Sequence, residues 1–206
     1  MAMYPHFVYF CAMSEHIEPV RCGWCLKDDL YKAYHDTEWG RPSKDDKHLF
    51  EMMILESFQA GLSWYTILTK RQNFKSAFAE FDVHKVAKFN ETIVEELMQN
   101  PGIIRNRLKI KAAVSNAQKF IDVQKEFGSF SNYLWGFTNH QVIDRQPKHL
   151  SDIPAKTDIS DAMSKDLKKR GFKFMGSTVC YAKMQSIGMV NDHLMDCWVR
   201  KTQFQP

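Results

Sequence analysis

From Asp45 to Leu62 the residues Leu49, Phe50, Met53, Ile54, Phe58 and Gly61 recur three and four positions apart. That spacing gathers side chains on one face of a helix and gives a strand no consistent face. The signature returns along the chain. Glu91 to Asn100 repeats it behind the cap residue Asn90, and Pro101-Gly102 stops it. Arg105 to Phe127 then carries Ile110, Val114, Ala117 and Ile121 on one face, so two helices flank a tight turn. Asp158 to Arg170 ends at Gly171, and Thr178 to Val190 is periodic and nearly all apolar, as a buried helix would be. No run reads as a set of strands. The predicted fold class is all-α.

With 206 residues, 44% of them hydrophobic, the chain can bury a core of its own. Without repeats, linkers or low-complexity tracts, residues 21–206 are expected to form a single helical domain, preceded by an N-terminal extension over residues 1–20. No apolar run approaches the roughly 18 to 20 residues of a membrane helix, because Lys183 and Gln185 interrupt the longest candidate. Met1 to Cys11 carries no Lys or Arg before its short apolar stretch, unlike a signal peptide, so a cytoplasmic protein without a membrane partner is expected. Five cysteines cannot all pair within one chain, and in a reducing compartment they read as free thiols or metal ligands. Lys and Arg exceed Asp and Glu by 28 − 24 = 4. That excess leans toward polyanions without proving a nucleic-acid partner.

Three groups of residues carry chemistry. His193 and Cys197 are four apart, which on a helix would place both on one face and suit two ligands of a tetrahedral zinc. Cys22 and His35 could supply the other two if the chain ends meet, closing a structural Cys₂His₂ site. The spacing alone leaves ordinary packed residues open. Cys22-x-x-Cys25 is a rival half-motif, but it has neither a βαβ context nor a second Cys-x-x-Cys.

The second group is aromatic: Trp24, Tyr31, Tyr34 and Trp39 crowd one segment interleaved with His35, Asp36 and Glu38, while Leu62-Ser63-Trp64-Tyr65 closes the first strong helix. A dry core would not welcome those polar neighbours, so a pocket lined by ring faces fits better. Glu56 lies inside the apolar stripe of its helix, two turns before Trp64, where it needs either a salt bridge or cap contact or a ligand in the pocket. The third group is the turn Asn100-Pro101-Gly102-Ile103-Ile104-Arg105, followed by Arg107, Lys109 and Lys111, which can present amides, a helix start and positive charge to a phosphate. Lys165 with Lys168-Lys169-Arg170 reads as a solvated face.

At these residues the sequence resembles the bacterial 3-methyladenine DNA glycosylase I enzymes, all-α members of the helix-hairpin-helix glycosylase superfamily. The blocks that carry the resemblance are Cys-Gly-Trp at 22 to 24, Tyr-x-x-Tyr-His-Asp-x-Glu-Trp-Gly from Tyr31 to Gly40, and Leu-Glu-x-x-Gln-Ala-Gly-Leu-Ser-Trp from Leu55 to Trp64. Gly-Ile-Ile-Arg-Asn-Arg from 102 to 107, Lys-Lys-Arg-Gly-Phe-Lys-Phe from 168 to 174 and Asn-Asp-His at 191 to 193 follow in order. The resemblance implies one structural zinc on Cys22, His35, His193 and Cys197, joining the two ends of the chain. It implies a base pocket of Glu56, Trp24, Tyr31, Tyr34 and Trp64, with Gln59, Gly61 and Leu62 in the segment that fills the space a flipped nucleotide vacates. Gly102, Arg105 and Arg107 would contact DNA. The chain departs from the family at Ala182, where a Ser is expected beside the pocket, and at Trp198, where smaller residues are expected. Residues 1–20 have no counterpart, and Met13-Ser14 looks like an alternative start.

The implied activity is removal of 3-methyladenine from double-stranded DNA by a monomer, releasing the free base and leaving an abasic site. Extrusion is cheapest for a damaged base, and a cationic base on an aromatic face gains roughly 0.5 to 2 kcal/mol over a neutral one. An ionised Glu56 can accept from the 6-amino group of adenine but would repel the O6 of guanine. None of the quoted blocks puts a lysine beside the pocket for a Schiff base, so monofunctional hydrolysis is expected, with Glu56 the only carboxylate nominated. A zinc-stapled module that binds modified bases without cleaving them is the alternative.

Overall fold

The structure, a computed structural model, describes residues 18–203, so the expected extension over residues 1–20, with Met13-Ser14, lies almost wholly outside the described residues. Short polar side chains start most of the helices by accepting from an amide of the first turn. Asp28, Asp45 and Ser63 do so for α1 (Asp29–Thr37), α2 (Asp46–Gln59) and α3 (Trp64–Leu68). After α4 (Arg71–Ala77), Asp82, Asn90 and Asn106 cap α5 (Val83–Val86), α6 (Glu91–Gln99) and α7 (Arg107–Phe127). Ser129 and Thr157 cap α8 (Phe130–Gly136) and α9 (Asp158–Lys169), and α10 (Ser177–Ser186) and α11 (Trp198–Gln203) follow. The expected all-α class holds in its coarse form: the described chain is mostly helical, with one two-residue parallel pairing between β1 (Ile143–Asp144) and β2 (Val190–Asn191).

Helix α2 is the hub. Leu49, Phe50 and every residue from Met52 to Phe58 are buried, because α3, α4, α7, α8 and α10 pack around it. Phe50 meets Phe120 of α7 edge-on at 5.3 Å, and Phe120 stacks on Phe130 of α8 at 3.9 Å. Each fully buried Phe contributes on the order of 1.5–3 kcal/mol of transfer free energy. A polar group placed on this helix is therefore held rigidly and shielded from water.

Three expected helix boundaries differ. The stripe from Asp45 to Leu62 is helical only to Gln59: Gly61 sits at φ +81°, and Ser63 caps a separate helix that begins at Trp64. Trp64-Tyr65 thus opens α3 and does not close α2. The helix expected from Arg105 starts two residues later, where Asn106 captures the Lys109 amide. The apolar run from Thr178 to Val190 is helical only to Ser186. Beyond it, the Ser43 amide donates to the Ile187 carbonyl and the Ile143 amide to the Met189 carbonyl, so the chain leaves the helix to pair with neighbouring segments. Apolar periodicity reports burial and cannot by itself mark where backbone partners change.

Candidate active site

Helices α1, α2, α3 and α10 surround a cavity of about 300 Å³ whose lining includes Trp24, Tyr31, Tyr34, Trp39, Glu56, Gln59 and Trp64. The rings hold one another edge-on or tilted: Trp24 lies 5.0 Å from Tyr31 and 5.0 Å from Trp39, and Tyr34 lies 5.5 Å from Trp64. Asp28 fixes this wall, since its carboxylate caps α1 by accepting from the Tyr31 amide and also accepts from the Tyr65 hydroxyl. Burial pushes the Tyr34 phenol well above its usual range, so it stays a neutral group able to donate. Every expected base-binding residue lines the cavity. Trp39 of the aromatic group lines it as well, and so do Gln185, Ser186, Leu150 and Ile153, which the sequence does not single out, the last two from a segment with no periodic signal. Ala182 also lines it, so this wall carries a methyl group where the family resemblance leads one to expect a hydroxyl.

Glu56 is 2% exposed and is the one carboxylate among the lining residues. The expected ion-pair partner is present, and the carboxylate also lines the cavity. Ser186 Oγ donates to Oε1 at 2.5 Å, and the Lys183 ammonium stands 3.6 Å from Oε2. Oε2 itself is buried without a hydrogen-bond partner among the described residues, as is Trp64 Nε1. Burial raises the Glu56 pKa, against which Lys183 and Ser186 pull it down. Lys183 is fully buried, donates to the Leu49 carbonyl at 2.9 Å and is not part of the cavity wall, so it is sealed from any ligand there.

Cys22, His35, His193 and Cys197 converge, with one ligand atom from each lying within 4.8 Å of all the others. Cys22 Sγ is 3.8 Å from His193 Nδ1, and Cys197 Sγ is 3.5 Å from His35 Nε2 and 3.6 Å from His193 Nδ1. Zinc–sulfur and zinc–nitrogen bonds of about 2.3 and 2.0–2.1 Å imply tetrahedral edges of about 3.3–3.8 Å, so the donor set fits that ion. The remaining ring nitrogens are also held: His35 Nδ1 meets Asp36 Oδ1 at 2.8 Å, and His193 Nε2 meets the Trp39 carbonyl at 3.1 Å. Such outer partners fix which nitrogen faces a metal. Gly40 makes this approach feasible, because at φ +77° a Cβ there would stand 2.8 Å from His193 Nε2.

The expected helical spacing of His193 and Cys197 is corrected. They lie in a turn, tied by the Cys197 amide to the Leu194 carbonyl and by the Met195 amide to the Pro147 carbonyl, and α11 starts only at Trp198. The turn brings the two ligands together as a helix would have done. Cys25 takes no part: its thiol donates to the Cys22 carbonyl, and burial pushes its pKa up to about 11.

In the turn between α6 and α7, Gly102 donates to Asn100 Oδ1, while Lys70 and Asn73 donate to the Gly102 carbonyl and Ile103 is buried. Arg105 is exposed with no partner among the described residues, whereas exposed Arg107 makes a forked ion pair with Glu95. Lys109, expected among the surface cations, is buried and donates to the carbonyls of Phe58 and Ala60 at 2.9 and 2.6 Å. It caps the C-terminus of α2 and holds the Gln59 to Leu62 turn, where Gly61 and Leu62 are exposed and line a hollow that shares Glu56, Gln59 and Ala182 with the cavity. Arg170, in the second basic run, is committed to Glu126 and Asp166.

A helical protein whose pocket has aromatic walls and one buried carboxylate is built to hold a flat, hydrogen-bonding ring such as a nucleobase. The comparisons name the family. The chain matches the methyladenine glycosylase family model over residues 24–201 and belongs to that family. It is 52% identical over 177 residues to DNA-3-methyladenine glycosylase 1 of Escherichia coli (strain K12), covering 86% of this chain and 95% of that protein. A crystal structure of 3-methyladenine DNA glycosylase I (TAG) superposes with a TM-score of 0.85 at 49% identity, covering 87% of this chain and 98% of the other. A variant TAG solved in complex with 3-methyladenine superposes at 0.85 with 38% identity, covering 87% and 96%. Family membership favours the enzyme over the non-cleaving module.

Proposed function

We propose that this chain is a monofunctional DNA-3-methyladenine glycosylase of base-excision repair, which extrudes 3-methyladenine from alkylated DNA into the aromatic pocket and hydrolyses the N-glycosyl bond. The observation that carries the site assignment is the Glu56 carboxylate, buried in the pocket with Oε2 lacking a hydrogen-bond partner among the described residues. Leaving a buried acceptor unsatisfied costs about 1–3 kcal/mol, and a 6-amino group arriving there removes that cost. Guanine brings an acceptor to the same place. The cationic methylated base gains further from ring faces of Trp24, Tyr31, Tyr34 and Trp64. Its positive charge already weakens the bond to deoxyribose, so holding and orienting the base is most of what the chain must supply. Glu56 is also the one lining carboxylate that can stabilise charge as the bond to the sugar breaks. Among the described residues no lysine lines the pocket, which supports hydrolysis without a Schiff base.

The DNA-facing surface is assigned to Gln59, Gly61 and Leu62 in the hollow adjoining the cavity and to Gly102, Arg105 and Arg107 in a helix-hairpin-helix unit formed by α6 and α7. Exposed Leu62 in that hollow suits the gap left by an extruded nucleotide, and the exposed, unpartnered Arg105 suits a phosphate. Cys22, His35, His193 and Cys197 would hold one zinc, which closes residues 21–206 into a single domain and stiffens the wall beside the pocket. Among the described residues no helix is long and apolar enough to cross a membrane, in keeping with work in the cytoplasm. Incubating the purified protein with methylated duplex DNA should release free 3-methyladenine and leave the strand unbroken at an abasic site. Retention of the base on the DNA, or strand cleavage at the site, would contradict the assignment.

A further inference from the structure

Lys183 has no place in the function as stated, yet it is among the largest fully buried side chains of the described residues and lies in a helix that carries no other charged side chain. A buried ammonium is costly unless a charge partner and hydrogen bonds compensate it. Its Nζ donates to the Leu49 carbonyl at 2.9 Å, and its charge partner is Glu56 Oε2 at 3.6 Å. One turn further along α10, Ser186 reaches the other oxygen of the same carboxylate. Two residues of α10 thus grip Glu56, and neither adjoins the cysteine and histidine cluster in sequence.

We propose that Lys183 is a positioning residue that, with Ser186, keeps Glu56 ionised in the empty pocket and aims Oε2 at the incoming base. The proposal rests on the reading of Glu56 as the base-binding acceptor. Without a nearby cation, a carboxylate in this cavity would take up a proton and lose the acceptor that distinguishes adenine from guanine. The other groups facing Glu56 do not replace Lys183. Cys180 of α10 and Tyr34 of α1 bring only neutral or negative forms. His48 of α2 acts at longer range and is bonded to Ser43 and Glu38. Arg71 of α4 is taken by Glu38 and Glu51, and Lys109 of α7 by backbone carbonyls. Trp64 of α3 carries no charge. Ser186 Oγ also lies 3.0 Å from the Lys183 carbonyl, so its single proton has an alternative acceptor whenever Glu56 becomes protonated and donates to Oγ itself. The grip therefore suits an ionised carboxylate and relaxes without clash when that carboxylate is neutralised.

The test is single-turnover release of 3-methyladenine from methylated duplex DNA over about pH 5 to 9 by wild type, Lys183→Met, Lys183→Gln, Ser186→Ala and Glu56→Gln. In wild type the rate should fall on the acid side as Glu56 is protonated. Either neutral substitution at 183 lets the Glu56 pKa rise, so that acid limb should move up by about one pH unit or more, a loss of roughly tenfold on the limb with the alkaline plateau largely kept. Ser186→Ala should move it the same way by less, and Glu56→Gln should abolish it. Two neutral side chains at 183 of different polarity guard against one of them failing to fold. An acid limb unmoved in a folded Lys183 variant but absent in Glu56→Gln overturns the proposal and leaves the base-binding reading intact. Wild-type rates and limb in Glu56→Gln would instead remove that reading and the proposal with it.

Discussion

The cysteine and histidine cluster and the aromatic pocket are neighbours that share the segment between Cys22 and Trp39, yet they treat buried polar atoms in opposite ways. In the cluster each ligand atom faces another and each outer histidine nitrogen has its own partner. In the pocket Glu56 Oε2 and Trp64 Nε1 have no hydrogen-bond partner among the described residues. A saturated site has nothing left to offer a substrate and fits a structural role, whereas unsatisfied buried groups are tolerated where a ligand completes them. The two regions are joined through shared residues. Tyr34 and His35 are successive in α1, the Trp24 ring lies 5.3 Å from His35, and the Trp39 ring lies 4.7 Å from His193. The cluster is the frame on which one pocket wall hangs.

The strongest way to break this comparison is to remove the zinc proposed for the cluster. Cys197→Ser, or chelation of the wild-type protein, should cost several kcal/mol of stability and lower the melting temperature by many degrees, since the site ties the ends of a long loop. Tryptophan fluorescence should change at the same time, because Trp24 and Trp39 pack on the ligands. Unchanged melting after metal removal would reduce the cluster to packed residues. A smaller effect is expected one shell out, at Asp36, which accepts from His35 Nδ1 and is braced by Arg21. Asp36→Asn should weaken zinc binding by about 10- to 100-fold with the fold retained, as competition with a chelator would report. The smallest effect belongs to the outer surface. Arg105→Ala should weaken DNA binding alike for all sequences and reduce the salt slope by about one, while Arg107→Ala should do less because Glu95 already pairs with it. Equal effects of the two would mean that the Glu95 pair opens on DNA.

Legibility followed the same division. Helices with a one-sided stripe and a capping residue, such as α6 behind Asn90 and α9 ahead of Gly171, stand where the spacing puts them. The stripes of α2 and α10 are buried nearly all round, and there the pattern runs past the true ends, which are set by Lys109 on one helix and by pairing with residues 43 and 143 on the other. The family blocks held Cys22, His35 and His193 of the cluster, with Cys197 four residues beyond the last block, and the expected aromatic residues of the pocket. They were silent on Lys183 and Ser186, since no periodicity argument says what a buried lysine is for. A lone charge inside a largely apolar run was the available signal, and its partner, 127 positions away at Glu56, becomes visible only when α10 docks on α2. Lys109 was hidden in the opposite sense: among surface cations, nothing local marks the one that turns inward.

The central claim is that the Glu56 carboxylate is the acceptor that reads the methylated base, and Glu56→Gln tests it most directly by the relative release of 3-methyladenine and methylguanine from one methylated duplex. The variant keeps the shape of the side chain but loses the charge. A charge-assisted hydrogen bond of about 1.5–3 kcal/mol felt mainly in the transition state corresponds to roughly 10- to 150-fold slower release of 3-methyladenine. The Gln amide can turn its NH₂ toward an O6 acceptor, so methylguanine release should rise relative to methyladenine. Wild-type rates with unchanged selectivity would contradict the account and leave Glu56 a structural partner of Lys183 and Ser186.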